Sequence, residues 1–142
     1  MATASNQTYA IAIHPAHATL LAAALPLFIG GLLSDLAYSS NYQIQWSNFA
    51  AWLVAGALVL NGLALVWAII DLARNRPRQR SRLLYPAALA GVFVVGLVDS
   101  FVHARDAWAV MPAGLILTVI VTLLAVVATW LGLAVGKEET AR

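Results

Sequence analysis

Four long apolar runs dominate this chain, and few folds accommodate four such runs. They extend from about Ala18 to Tyr38, from Phe49 to Leu72, from Leu83 to Val102 and from about Val110 to Val135. A membrane-spanning helix needs about 20 mainly apolar residues. Helices buried in a soluble domain would keep a polar face, and these runs have none. The second run is broken only by Asn61, with Trp52 and Trp67 near its ends. Charged residues make up 10% of the chain and hydrophobic ones 62%, where a soluble domain carries about 25% charge. At 142 residues one domain is expected, spanning 1–142. The fold class read from the sequence is therefore an all-α membrane protein with four transmembrane helices.

The connections are short, so neighbouring helices should run antiparallel in an up-down-up-down bundle. The stretch between the second and third runs holds Arg74, Arg76, Arg78, Arg80 and Arg82. The positive-inside rule puts that loop, and with it both termini, in the cytoplasm. Lys137 and Arg142 agree with this orientation. The same five arginines suit anionic lipid headgroups, at about 1 kcal/mol per charge near the surface. Tyr42, Trp46 and Trp108 then fall in the outer aromatic belt. The first ten residues lack Lys and Arg, which argues for a retained first span over a cleaved secretory leader. Pro15 suits the first turn of the first helix, and Pro26 lies inside it.

Ionisable groups at membrane depth are costly and are functional candidates by default. They fall into two layers. The inner layer holds His14, His17 and Asp71, with Arg74 beside them. His14 and His17 are three residues apart and share a helix face if the helix includes both. Either histidine pairing with Asp71 would staple the first hairpin. The same three residues are also candidates for a metal ion or for proton transfer. The outer layer holds Asp35, Asp99 and His103, followed by Arg105 and Asp106. Asp99 and His103 have the i, i+4 spacing of an intrahelical pair. Asp106 is positioned to cap the fourth helix, and Arg105 to snorkel. Asp35 lacks a local partner, so Ser47, Asn48 or His103 across the bundle are its candidates. The segments "GLLSD" and "GLVDS", ending the first and third spans, echo one another.

Several chemistries are disfavoured. The chain has no cysteine, which removes disulfides, thiolate metal sites and covalently attached haem. A phosphate-binding glycine loop, a metalloprotease helix and a nucleophile elbow are missing from the sequence. A net charge of +2 is too small to suggest nucleic acid. Haem b held by two histidines needs them on different helices at one depth, and His14 and His17 are about 30 Å from His103 across the bilayer. Apart from Asn61, Thr118 and Thr122 the bundle centre reads as apolar, unlike the midplane site of a transporter.

The segments "IHPAHATLLAAALPLFIGGLLSDL", "GLALVWAIIDL" and "HARDAWAVMPAGLILTVIVTLLAVVATWLG" resemble the bacterial membrane family called domain of unknown function 2231, over nearly the whole chain. The markers are Ile13-His14-Pro15, Asp35 and the Gly62 to Asp71 stretch, while the Pro26 to Gly30 segment departs from the family's pattern. The resemblance implies four inner-membrane helices and an association with periplasmic redox enzymes such as quinoprotein sugar dehydrogenases. The leading expectation is a non-catalytic assembly or interaction subunit, without a resident cofactor, in contact with lipid and with a second copy or a periplasmic redox partner. The alternatives are a haem- or metal-binding redox subunit working with a periplasmic dehydrogenase and using His14, His17 and also His103, with Asp71 a further candidate for a metal, and a small transporter working as an oligomer.

Overall fold

A computed structural model describes the backbone of residues 14–74 and 80–140, and the side chains of 14–74 and 83–133. The described residues form five helices: α1 (Pro15–Asn41), α2 (Ile44–Arg74), α3 (Arg80–His103), α4 (Ala107–Val110) and α5 (Ala113–Thr140). Four of them, α1, α2, α3 and α5, are long and apolar enough to cross a membrane. At most 33% of each apolar window is buried inside the protein. The remainder faces outward with Leu, Val, Ile, Phe and Trp side chains, a surface that suits hydrocarbon and not water.

The ends of the helices have local causes. Pro15 opens α1, where its missing N–H costs nothing, and His14 caps it by accepting from Ala16 N–H at 3.3 Å. At the far end Tyr42 adopts the left-handed conformation, φ 54°, and its N–H reaches Tyr38 O at 2.8 Å. A bulky residue is strained there, and its ring stacks on Trp108. Tyr42 and Gln43 alone link α1 to α2.

The fourth apolar run begins differently from expectation. It divides into the short α4 and the long α5, with Met111 extended between them at φ −91°, ψ 142°. Pro112 favours the break, since its ring disfavours the helical conformation at the preceding residue, although Leu25 before Pro26 and Tyr85 before Pro86 stay helical inside α1 and α3. Asp106 precedes α4, not the spanning helix, and makes no side-chain capping bond there. α1 and α2 also extend beyond the expected spans, because helical geometry continues through polar residues at the membrane edge.

Each long helix packs against two others, α1 on α2, α2 on α3, α3 on α5 and α5 on α1. The contacts run antiparallel: Leu27 meets Gly56 and Gly31 meets Val54; Asn61 meets Leu89; Tyr85 meets Gly132 and Gly96 meets Val121. That leaves α1 and α3 parallel and diagonal across the bundle. The core between them holds Phe28, Val54, Ala57, Ala64, Leu89, Val92 and Val121. Many of these are small, which allows close backbone approach where lipid supplies no hydrophobic drive between helices. Asn61 satisfies its amide on Leu89 O at 3.1 Å, and Thr122 its hydroxyl on Phe28 O at 3.3 Å.

Candidate functional site

Near the end of the bundle that carries the α1–α2 turn, four polar side chains from three helices meet in the core. Asp35 comes from α1, Asp99 and His103 from α3, and Thr118 from α5. Asp35, Asp99 and Thr118 are fully buried, and His103 almost so. The imidazole lies between the two aspartates. Its Nε2 is 3.0 Å from Asp35 Oδ1 and 3.2 Å from Oδ2. Its Nδ1 is 3.0 Å from the Asp99 carbonyl oxygen and 3.1 Å from Asp99 Oδ1. The bond to the backbone carbonyl is the better aligned of the two, and it leaves Asp99 Oδ1 buried without a hydrogen bond. Thr118 Oγ1 lies 2.6 Å from Asp35 Oδ2, 3.1 Å from Asp99 Oδ2 and 2.9 Å from Gly114 O.

Local sequence explains this convergence. Four residues separate Asp99 from His103, and Gly114 from Thr118, so each pair lies on one helix face. Gly114 makes room for the ring: a Cβ there would sit 3.2 Å from His103 Cε1 and 2.6 Å from Val110 Cγ1. Charges buried this deeply are costly unless paired and hydrogen-bonded. Here Asp35 of α1 meets His103 of α3 and Thr118 of α5, while Asp99 meets His103 of its own helix and Thr118.

A second polar crossing lies at the other end. His17 Nε2 and the Tyr85 hydroxyl are 2.5 Å apart, joining the same diagonal helices. His17 is buried, and its Nδ1 has no hydrogen-bond partner among the described residues. Its ring neighbours Trp67, with centroids 5.9 Å apart, and Trp67 also lies 4.9 Å from the His14 ring. Tyr85 rests on Gly132, as His103 rests on Gly114. His17 to Asp35, Tyr85 to His103 and Gly114 to Gly132 are each eighteen residues, five helical turns or about 27 Å. The two crossings therefore lie near opposite edges of the hydrocarbon layer.

The residues singled out in the sequence divide between these places and the surface. Asp35, Asp99 and His103 come together, and Thr118 joins them from α5. Arg105 and Asp106 are exposed beyond the cluster and take no part in its hydrogen bonds. Ser47 is buried and Asn48 exposed, and the Asp35 carboxylate is bonded to His103 and Thr118. At the other end His14 is exposed and His17 buried, while Asp71 and Arg74 are exposed at the end of α2. The field of Asp71 reaches His17. Arg76, Arg78 and Arg142, and the side chains of Arg80, Arg82 and Lys137, lie outside what the structure describes. Among the described residues no group of three or more His, Asp or Glu side chains is arranged to hold a metal ion.

Sequence reasoning missed Tyr85 and the role of Thr118. Both belong to apolar runs and are ordinary residues there. The five-turn spacing from Tyr85 to His103 is the one signal the sequence carried.

No curated protein and no solved structure matches the chain. A family model described as "Predicted membrane protein (DUF2231)" matches residues 13–140. The chain is thus a member of the DUF2231 family of membrane proteins.

Proposed function

We propose that this membrane protein is a non-catalytic subunit of a bacterial inner membrane, an assembly or interaction component and not an enzyme. The observation that carries this reading is the bonding of His103. Both ring nitrogens face acceptors of the same chain, and the acceptors belong to opposite helices. Such a group holds helices in register and leaves no ring nitrogen for a substrate or a haem iron. The apolar outer surface then meets lipid and either a second copy or a periplasmic redox enzyme. The arginines between α2 and α3 support an orientation with both termini in the cytoplasm and the Asp–His–Asp cluster toward the periplasm.

The test pairs stability with an absorption spectrum of protein purified from native-like membranes. His103→Ala should unfold at a markedly lower temperature in detergent, and the wild-type spectrum should stay featureless after dithionite. A stoichiometric Soret band, or a His103→Ala protein as stable as wild type, overturns the reading.

One observation favours a second reading, metal binding at the cytoplasmic end. His17 Nδ1 is a buried ring nitrogen without a hydrogen bond among the described residues, while its Nε2 is held by Tyr85. A histidine ligand commonly donates its other ring N–H to such a partner. His14 and Asp71 would be the other donors once the ion drew them together, since among the described residues the three are not arranged around one. Elemental analysis of protein purified without chelator decides it: metal at one per chain, lost in His17→Ala, supports this reading.

A further inference from the structure

The cluster of Asp35, His103, Asp99 and Thr118 has more acceptors than protons. His103 supplies at most two N–H donors, and both are used: Nε2 toward the Asp35 carboxylate, Nδ1 toward Asp99. Thr118 supplies one O–H. Three oxygens lie within hydrogen-bond distance of Thr118 Oγ1, two of them from different carboxyl groups. The 2.6 Å approach of Asp35 Oδ2 and the 3.1 Å approach of Asp99 Oδ2 both suit hydrogen bonds. One hydroxyl proton serves only one of them. The other carboxyl oxygen would then face bare lone pairs in a fully buried site.

Charge leads to the same count. An imidazole with both nitrogens protonated carries +1, and two ionised carboxylates carry −2. Among the described residues, the groups facing the cluster do not supply the missing positive charge. α2 presents Ala50 and Val54 where Gly31 abuts it, and α4 presents Val110. On α1 the next titratable group is Tyr38, buried and edge-on to Tyr42. Arg105 and Asp106 follow on the exposed segment after α3. Asp99 Oδ1, fully buried and without a hydrogen bond, points toward the imidazole and marks the carboxyl group that is short of donors.

We propose that the cluster is a proton-binding site, in which one proton beyond those of the imidazolium and the hydroxyl is shared between Asp35 and Asp99 through Thr118. With the proton on Asp99, its Oδ2–H donates to Thr118 Oγ1 and the hydroxyl donates to Asp35 Oδ2. Each of the two contacts between Thr118 and a carboxyl group then has one hydrogen, and the site is neutral. The proton passes to Asp35 by a concerted exchange. The Asp99 O–H bond breaks as a new O–H forms on Thr118, and the original Thr118 O–H breaks as one forms on Asp35. No electron moves and no side chain has to turn. α1 and α3 thereby exchange a proton through α5 inside the membrane.

Infrared spectroscopy tests this on the full chain in liposomes, with heavy-isotope labelling of the aspartate carboxyl carbon to separate aspartate from glutamate. The expected wild-type spectrum has the C=O stretch of one protonated, isotope-shifted aspartic acid per chain, moving further in D2O. The band should persist in Asp71→Asn and Asp106→Asn, both at exposed positions. It should vanish in Asp35→Asn and in Asp99→Asn, where one remaining carboxylate balances the imidazolium. Absence of the band from wild type, its loss in Asp71→Asn or Asp106→Asn, or its survival in both cluster variants overturns the proposal. If the cluster variants do not fold, the labelled wild type and the two exposed-site variants still decide between the outcomes, since Asp35 and Asp99 are then the only aspartates left to carry the band.

Discussion

Two hydrogen-bonded crossings do most to define this molecule at the scale of single residues. Removing one partner of a buried pair leaves the other uncompensated, at a cost of about 3–5 kcal/mol. His103→Ala should lose stability of that size in denaturant unfolding in detergent, because Asp35 and Asp99 would then be buried without their shared donor. An exposed control, Arg105→Ala, should change little. Tyr85→Phe removes one hydroxyl and leaves both His17 nitrogens buried without a bond. Its expected cost is about 1–3 kcal/mol, read from the same unfolding curves. A loss larger for Tyr85→Phe than for His103→Ala would reverse the ranking of the two crossings. Of the residues involved, Asp35, Asp99, His103 and His17 were legible as ionisable groups in apolar surroundings. Tyr85 and Thr118 were not, because an isolated hydroxyl in a membrane helix has many structural uses.

Glycine decides how the elements meet. A methyl group at Gly114 would press on Val110 and on the His103 ring, whereas one at Gly91 would meet nothing within 4 Å. Gly114→Ala should therefore destabilise by about 1–3 kcal/mol through overpacking. Gly91→Ala should be neutral or stabilising by up to about 1 kcal/mol, from helix propensity alone. Thermal unfolding of the two variants side by side checks this contrast, and equal effects would show that α3 and α5 adjust to each other freely. The break between α4 and α5 belongs to this scale too. Apolar content continued through Met111 and Pro112, so a count of hydrophobic residues ran the fourth span across it. The extended backbone at Met111, before Pro112, placed the boundary instead.

For the whole molecule, the proposed orientation makes a prediction that the absence of native cysteines renders clean. A Gln43→Cys protein should react with a membrane-impermeant maleimide in intact cells, since the α1–α2 turn faces outward on this reading. A Gln79→Cys protein should react only after the membrane is opened, since it lies among the arginines. The reverse pattern would invert the protein and place the Asp–His–Asp cluster toward the cytoplasm.

The sequence by itself determined the solvent, the number of spanning helices and the family, because hydropathy over about 20 residues is a local property set by composition. It also identified most of the ionisable residues, since charge in an apolar run is conspicuous wherever it lies. Only the tertiary structure decided their partners. α1 and α3 are separated in sequence by the whole of α2, and their diagonal, parallel placement follows from packing of helices whose apolar character is alike on every side. Nothing local told Asp35 that His103 and Thr118 would face it. That meeting depends on the rotation of three helices about their axes, which small residues such as Gly31, Gly96 and Gly114 set through close contact.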